Sequence, residues 1–314
     1  MLLYVAKRVA YIAVIIVVMS MLVFAITQIM PGDVARLVAG QFASDDVVEA
    51  VRQRLGLDRP LVVQYWDWAI SFVQGDFGRS LIMERPIAGV VAEALSRSAV
   101  LAAVSFVLVA IIGIALGVIA AVHHNRPIDH AVSIFTYVGI SVPEFFWGIV
   151  LILVFAGTFG LLPAGGYVPI GDGFWSWLSH LVLPTATLTF TLIAHVSRLT
   201  RSSMLETLRS NYVKNARAKG LPERVVLMRH ALRNALLPTI TVLAIDVGWL
   251  IGGIVVVESV FSYPGMGRLL VFAIERHDLP LIQAGILIVT VVYSVANLIA
   301  DLLYAYLNPK IRYA

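Results

Sequence analysis

The chain has 314 residues, of which 60% are hydrophobic and only 13% are charged, and its mean hydropathy is +0.89. Soluble globular domains carry about 25% charged residues, and disordered chains combine low hydrophobicity with high charge, so both classes are excluded. The net charge of +4 does not indicate nucleic-acid binding, because the basic residues cluster beside apolar segments. The sequence has no cysteine, which excludes disulfides, thiolate catalysis and cysteine-based metal sites. These features predict an all-α integral membrane protein.

Six apolar segments are long enough to cross a bilayer, which takes about 20 residues of helix. The first follows Lys7 and Arg8, but its apolar core is longer than that of a signal peptide, so we predict a retained span. In the third, Gly139 and Pro143 allow a bend. The six predicted transmembrane helices are residues 9–30, 98–122, 132–159, 178–199, 236–261 and 281–307.

The distribution of basic residues predicts the orientation of these spans. If the N-terminus is cytoplasmic, the cytoplasmic segments hold 14 of the 23 Lys and Arg, nine of them between Arg198 and Arg233. The long outer loop holds seven more, but charges in long loops are weak topology signals. We therefore expect both termini to be cytoplasmic.

Residues 31–97 form the predicted outer loop, and their pattern is that of a folded helical cap. Ser44 and the acids after it begin a helix that Gly56 ends, with Val47, Val51 and Leu55 on its apolar face. Pro60 opens a second, aromatic segment with Tyr65, Trp66, Trp68 and Phe72, which ends at Gly75. The cap either packs on the spans or offers a docking surface to a soluble partner, and the two roles are compatible. The predicted domains are an N-terminal transmembrane helix (1–30), the extracytoplasmic cap (31–97) and a core domain of five transmembrane helices (98–314).

The inner loop spans residues 200–235. The stretch NYVKNARAKGLPERVVLMRHALRNALLP, residues 211–238, begins in the middle of this loop and ends just inside the next span. Ser210 or Asn211 can cap a first helix that runs through Lys219. Gly220 fits the left-handed position after a helix, and Pro222 fits the first position of the next one. The pattern therefore predicts a helix, a sharp turn and a second helix.

The second helix, about residues 223–236, carries a predicted apolar stripe opposite a row of arginines. The stripe is Val225, Met228, Leu232 and Leu236, and the arginines are Arg224, Arg229 and Arg233. On the first helix, Ala216 shares a face without bulky side chains with Gly220, where a partner can approach closely. Two readings stay open for this loop, which either lies on anionic lipid through its basic residues or couples mechanically to a cytoplasmic motor.

The loop resembles the cytoplasmic loop of the membrane subunits of binding-protein-dependent ABC importers. In general form that loop has Glu-Ala-Ala, three residues, Gly and a later Leu-Pro. Here Ala216 and Gly220 match, while Lys214 and Asn215 replace the first two positions and Leu237 with its proline lies further downstream. The chain is similar to the dipeptide, oligopeptide and nickel branch in further motifs, in order MPGD, LGLDRPLVVQYWDW, GDFGRSL, SVPEFFWG, VVVESVFSYPGMGRLL and NPKIRY.

This resemblance implies the permease architecture of a type I ABC importer in the cytoplasmic (inner) membrane of a bacterium or archaeon. The expected partners are a second homologous permease subunit, two cytoplasmic ABC ATPase domains, an extracytoplasmic substrate-binding protein and membrane lipid, without nucleic acid. ATP and Mg²⁺ would be bound by the ATPases, and this chain has no G-x-x-x-x-G-K-[ST] motif and no expected cofactor or catalysis of its own. The residues expected to contact the ATPases are Tyr212, Asn215, Ala216, Arg217, Gly220, Leu221 and Pro222.

The resemblance also implies the substrate class. Short peptides are the expected cargo, and glutathione, a nickel chelate or an opine-like compound are the alternatives. Selection among them is expected to reside mostly in the separate binding protein.

Ionisable residues within spans are costly and are therefore candidates for function. Asp246 is the deepest acid, about 15 Å along its span by helical rise, and either faces the translocation pathway or pairs with a donor on a neighbouring helix. The expected pathway residues are Asp246, Ser141, Glu144 and Asn297. The expected structural residues are Glu258, Pro264, Gly265 and Asp301, with Glu258 bracing the turn in FSYPGMGRLL.

Two other function classes are less favoured by the sequence. An intramembrane enzyme would need clustered histidines or a G-x-S-x-G elbow, and the seven histidines are scattered, with no H-E-x-x-H motif and no expected metal site. A secondary carrier would show internal repeats, and none is convincing here.

Overall fold

The computed structural model describes residues 2–29, 34–40, 42–54 and 56–307, so the motifs MPGD and NPKIRY and Leu55 lie outside the described residues. Within these ranges the chain is helical and has no strand beyond an isolated bridge between Arg79 and Pro86. The helices are α1 (Leu2–Ile29), α2 (Val34–Ala39), α3 (Asp45–Arg54), α4 (Leu61–Val73), α5 (Ile87–Val122), α6 (Pro127–Ser141), α7 (Glu144–Thr158), α8 (Phe174–Leu208), α9 (Asn211–Ala218), α10 (Glu223–Val260), α11 (Met266–Glu275) and α12 (Leu279–Leu307).

Five of the described helices, namely α1, α5, α8, α10 and α12, are long and apolar enough to cross a membrane. The third predicted span is instead the pair α6 and α7, which are bent by 107° and form either a broken span or a re-entrant loop. The break lies at Val142 and Pro143, whose backbones are extended. Proline lacks an N–H and disfavours helical geometry in the residue before it, which explains the break. The predicted bend is confirmed, and the fold is that of a helical membrane protein.

The structure packs as two compact units. One consists of Met1–Arg97 with Pro264–Val295, and the other of Ser98–Tyr263 with Ala296–Ala314. The sequence analysis assigned residues 98–314 to a single core domain, whereas residues from Pro264 to Val295 pack with the N-terminal unit.

The core of the N-terminal unit explains this grouping. Its buried side chains come from the first turns of α5, from α11 and from α12, and include Ile87, Val91, Met266, Leu269 and Leu281. These apolar residues are far apart in the chain and meet only through tertiary packing, so sequence position alone does not assign them to one unit.

In the cap, α3 begins at Asp45 and confirms the predicted helix, but its buried residue is Val48, while Val47 is 48% exposed. Val47 therefore lies off the buried face, whereas Val51, which was predicted on the same face, is half-buried. Helix α2, which the sequence analysis did not predict, packs against α3 and buries Ala35 completely. On α4, Trp68 and Tyr65 pack against Phe24 of α1 with ring centroids 5.9 and 5.5 Å apart, so α1 and α4 are held together by aromatic contacts.

A buried carboxylate, Asp278, fixes one loop of the N-terminal unit. It accepts hydrogen bonds from the Ser80 hydroxyl at 2.5 Å and from the backbone N–H groups of Leu81 at 3.2 Å and Ile82 at 3.3 Å. It also accepts the N–H of Leu281 at 3.4 Å, which makes it the N-cap of α12. Because the side chain is fully buried, these donors are what make its charge tolerable.

In the second unit, helices approach closely where glycine removes the side chain. A Cβ at Gly117 of α5 would lie 2.6 Å from the Ser197 carbonyl oxygen and 2.6 Å from the Thr200 Cβ, both on α8. One turn earlier, a Cβ at Gly113 would lie 2.9 Å from Val196. The G-x-x-x-G spacing of these two residues is typical of tightly packed membrane helices. Close packing of α5 on α8 therefore depends on both glycines.

We predict that Asp278→Ala lowers the free energy of unfolding of the protein by about 3 kcal/mol, because buried donors lose a charged acceptor. The loop that begins at Ser80 should also become faster to cleave with trypsin at the Arg79–Ser80 bond. Thermal unfolding in detergent and the cleavage rate measure both effects. Glu275→Gln, an exposed change on the neighbouring helix, is the control. Cleavage at the wild-type rate in Asp278→Ala would contradict the assignment.

Candidate functional site: the inner loop and the buried charges

The loop segment, residues 200–235, has the predicted helix–turn–helix form. Helix α9 ends at Ala218, and Gly220 follows in the left-handed region at φ +74°. Pro222 is extended, and α10 begins one residue later at Glu223, so the proline precedes the second helix instead of starting it. Serine 210 precedes α9 without capping it, because its hydroxyl donates to the Thr207 carbonyl at 2.6 Å.

An ion pair closes the turn between the two helices. The Arg217 guanidinium donates two hydrogen bonds to the Glu223 carboxylate, at 3.1 Å from Nε and 2.6 Å from Nη2. Both side chains are about half exposed, at 42% and 54%, and the carboxylate raises the pKa of the arginine. Exposed pairs contribute only about 0.2–1 kcal/mol, but a two-bond geometry fixes direction as well as distance. The pair therefore holds the turn in one conformation.

The inner face of the loop packs on the chain itself. Val213 and Ala216 of α9 are buried together with Met204 of α8 and Ala231 and Ala235 of α10. The expectation that Ala216 lies on an open face with Gly220 is wrong, because Ala216 is only 5% exposed and its small side chain lets α9 sit close to α10. Of the expected contact residues, the exposed ones are Tyr212, Asn215, Arg217, Gly220, Leu221 and Pro222.

The apolar stripe predicted for the second helix is wrong in its first half, whereas Leu232 and Leu236 in its second half are half-buried as predicted. Val225 and Met228 are 37% and 57% exposed, while Val226 and Ala231 are fully buried. The cause is a π-helical turn over Val226–Leu232, which adds a residue to the helical repeat, so that the buried positions are five residues apart. The 3–4 spacing assumed from the sequence does not hold in such a turn.

Two of the expected pathway residues lie at the bend between α6 and α7. Ser141 is exposed, and its hydroxyl donates to the Tyr137 carbonyl at 2.6 Å. Glu144 is half-buried, and its carboxylate lies against α10 at Gly253, where a Cβ would come within 2.8 Å of Oε2. The missing side chain at Gly253 therefore makes room for the carboxylate. Asn297, half-buried on α12, makes no hydrogen bond to either residue in the described part of the chain.

Asp246 is buried at 1% exposure, and its Oδ1 lies 3.4 Å from Nδ1 of His195 on α8. Its other oxygen is buried and has no hydrogen-bond partner among the described residues. His195 is 44% exposed, so it is the histidine, not the acid, that reaches the surface of this unit. Nothing in the sequence indicates that residues 195 and 246 face each other, so sequence reasoning missed this pair.

Glu258 is fully buried and accepts a hydrogen bond from the Ser98 hydroxyl at 2.5 Å. Its backbone carbonyl accepts the N–H of Tyr263 at 2.9 Å, so this residue does hold the start of the turn that follows α10. Of the other residues expected to be structural, Pro264 accepts a hydrogen bond from Arg97 at 3.3 Å and Gly265 precedes α11 in an extended conformation. Asp301 is half-buried on α12.

The strongest charge pair in the second unit was not singled out from the sequence. Arg201 of α8 donates to both oxygens of Asp129 on α6, at 2.5 Å from Nε and 2.8 Å from Nη2. The backbone N–H of Asn125 donates to the same carboxylate at 2.9 Å, and His124 Nδ1 lies 3.3 Å away. Asp129 is 1% exposed, so the pair fixes the α5–α6 loop to the last turns of α8.

Several apolar helices, paired charges within them and a helix–turn–helix loop define a polytopic membrane protein of the permease class. Residues 113–313 match the family described as binding-protein-dependent transport system inner membrane component, and residues 1–91 match the family described as its N-terminal part. The chain belongs to this family of binding-protein-dependent transport permeases. It is an inner-membrane subunit of a bacterial ABC importer and not an enzyme in itself.

Individual relatives agree with this assignment over their whole length. The glutathione transport system permease protein GsiC of Escherichia coli strain K12 is 42% identical over 313 residues, which cover 100% of both chains. GsiC of Shigella flexneri serotype 5b is also 42% identical over 313 residues. A solved amino acid ABC transporter, crystallised with histidines, superimposes with a TM-score of 0.53 at 14% identity, covering 71% of this chain and 94% of that chain. This last similarity shows the fold alone.

We predict that Arg201→Ala lowers the free energy of unfolding by about 3–5 kcal/mol, because it leaves the buried Asp129 carboxylate without its partner. Asp129→Ala should lower it by less, because the Arg201 side chain is 28% exposed and can be hydrated. The double variant should lose clearly less than the sum of the two. Denaturant titration of the purified permease in detergent measures all three. Arg126→Ala, an exposed residue in the same loop, is the control. Additive losses would show that the two side chains do not stabilise each other.

Proposed function

We propose that the chain forms half of the translocation pathway of an ATP-driven importer for short peptides, with glutathione as the first substrate to test. The observation that carries the substrate class is the 42% identity to glutathione permeases over the full length of both chains. Glutathione is itself a charged tripeptide, so it falls within the peptide class. A nickel chelate and an opine-like compound remain the alternatives, and the similarity to glutathione permeases favours glutathione ahead of them.

The proposed assembly contains this chain, a second homologous permease subunit, two ABC ATPase domains that bind ATP and Mg²⁺, and an extracytoplasmic binding protein. Membership in a binding-protein-dependent family supports the last two partner types. In this arrangement both termini and the loop segment are cytoplasmic, and the cap of residues 31–97 faces outward. The excess of Lys and Arg between residues 198 and 233 supports that orientation.

Helix α9 is the proposed coupling helix. Its outer face presents Tyr212, Asn215 and Arg217 to solvent, while Val213 and Ala216 bury its inner face on α8 and α10. A force applied to the outer face is therefore passed to two apolar helices through close packing and not through a flexible linker. ATP binding draws the two coupling helices of the assembly together and opens the pathway outward, and hydrolysis resets it.

The proposed pathway contacts come from residues whose surfaces remain accessible. Ser141 and Glu144 lie at the bend between α6 and α7, where a broken helix leaves backbone groups for a solute. His195 is the accessible member of its pair, so Asp246 acts through it by holding the imidazole ring. Asn297 is the remaining candidate, on the half-buried side of α12.

The coupling role predicts that Gly220→Val uncouples ATP hydrolysis from uptake. The backbone at Gly220 has φ +74°, and no atom lies within 4 Å of the position of a Cβ, so the valine is strained by conformation and not by a clash. Gly220→Asn is the matched control, because asparagine tolerates the left-handed region. In proteoliposomes that contain the whole importer, the valine variant should hydrolyse ATP without uptake. Wild-type uptake in that variant would count against the assignment.

The substrate proposal predicts ATP-dependent uptake of radiolabelled glutathione by the reconstituted importer, with its binding protein present. Unlabelled dipeptides and tripeptides should compete with it, and opines or nickel chelates should not. Uptake without the binding protein or without ATP is the control for leakage. If no peptide is taken up and another solute is, the peptide assignment is wrong while the family assignment stands.

A further inference from the structure

The N-terminal unit contains a cavity of about 550 Å³ that is open to solvent and lies apart from the sites described above. Its walls come from the end of α1, the turn between α3 and α4, helix α4, residues 76–78 and the start of α12. Sites for small molecules in proteins have volumes of about 300–1,000 Å³, so the cavity is large enough for a short peptide.

The cavity carries charges of both signs. Arg54, Arg59, Asp67 and Asp76 all line it. Arg59 is paired with Asp67 at 3.2 Å, whereas neither Arg54 nor Asp76 makes an ion pair within the described part of the chain. Asp76 accepts only the backbone N–H of Gly78, at 3.0 Å. One guanidinium and one carboxylate therefore remain available to a ligand that carries both charges.

The uncharged residues that line the cavity can contact the parts of a peptide that lie between its charged ends. Gln64 and Gln283 use their amide nitrogens within the protein, donating to the backbone carbonyl of Arg59 at 2.8 Å and to the Thr27 hydroxyl at 2.7 Å. Their side-chain carbonyl oxygens are left to accept the N–H groups of a ligand. Phe24, Trp68 and Phe77 supply apolar surface for its side chains.

The hydrogen bonds that the amide nitrogens of Gln64 and Gln283 donate also hold the walls of the cavity in place. Gln64 joins α4 to the turn before it through the carbonyls of Leu57 and Arg59, and Gln283 joins α12 to α1. The ring of Trp68 packs on Phe24 with centroids 5.9 Å apart, which fixes α4 against α1. A site whose walls are already fixed loses little conformational entropy when a ligand binds.

We propose that this cavity binds a short zwitterionic peptide, with the carboxylate at Arg54, the ammonium group at Asp76 and the peptide N–H groups at the glutamine oxygens. The proposal rests on the proposed function, which places the cap on the outer face, where imported peptides arrive. A solute held there stays beside the permease after it leaves the binding protein. The site is thus a second peptide site of the importer, within the cap itself.

The test uses the full permease, assembled with its partner permease subunit and ATPases in lipid nanodiscs without the binding protein. Equilibrium binding of radiolabelled dialanine and of glutathione is measured for the wild type, Arg54→Gln and Asp76→Asn. Both variants should bind at least about tenfold more weakly, as expected for the loss of one charge-assisted hydrogen bond. N-acetyl-dialanine methylamide, which lacks both charges, should not compete. Arg52→Gln, on the same helix but outside the cavity, should bind as the wild type does.

The Asp76→Asn change keeps an acceptor for the N–H of Gly78, so the loop should keep its shape, and an unchanged melting temperature checks this. No saturable binding to the wild type, or binding that Arg54→Gln leaves unchanged, would overturn the cavity site. Uptake by the complete importer separates the two proposals. Peptide uptake without cavity binding refutes only the site, whereas cavity binding without peptide uptake refutes the transport function.

Discussion

A charge within an apolar helix bundle has to find its partners inside the protein, because hydrocarbon supplies none. The buried carboxylates of this chain show four ways of meeting that demand. Asp278 accepts hydrogen bonds from one hydroxyl and three backbone N–H groups, and Asp129 accepts two from an arginine. Glu258 accepts a hydrogen bond from a serine hydroxyl, and Asp246 lies beside a histidine ring nitrogen. Each of these acids has at least one partner on an element that is distant in the chain. The acids therefore join segments that are distant in the chain, and the packing of each unit depends on them.

In the proposed function, the coupling role of the inner loop depends on this packing. Asp129 and Arg201 anchor the end of α8 to the loop before α6, and the same helix carries Met204, on which α9 packs. Helix α9 is therefore seated on an element that a buried ion pair holds in place. Small side chains such as Ala216 and Ala231 bring the helices close enough for a displacement of α9 to be passed on. In the proposed function, this is how an ATPase moves the permease.

Irregular helical geometry recurs where the chain has to change direction or register. The break at Pro143 turns α6 into α7 by 107°, and the π-helical turn at Val226–Leu232 shifts the buried face of α10. Both irregularities lie next to residues proposed to act in transport or coupling. Local departures from regular hydrogen bonding are tolerated in membrane helices where neighbouring elements satisfy the freed groups, so they are available for such roles.

Much of the architecture follows from the sequence alone. Hydropathy and length predict the spans, because a helix that crosses hydrocarbon needs a run of apolar residues that few other structures need. Local chemistry also predicts the Gly220 turn and the bend at Pro143, since each rests on the backbone properties of one residue. The resemblance of the loop and its companion motifs identified the family, which the full-length relatives bear out.

Only the tertiary structure decided which faces are buried and which charges meet. Ala216 was expected to be open and is buried, and the stripe through Val225 and Met228 was expected to be buried and is exposed. Periodicity assumes a regular helix, and a π-helical turn breaks that assumption without leaving a mark in composition. The partners of Asp246, Asp129 and Asp278 lie 51, 72 and 198 residues away along the chain. Sequence determines the apolar segments and the local turns, whereas pairing over such distances is decided by how the helices pack.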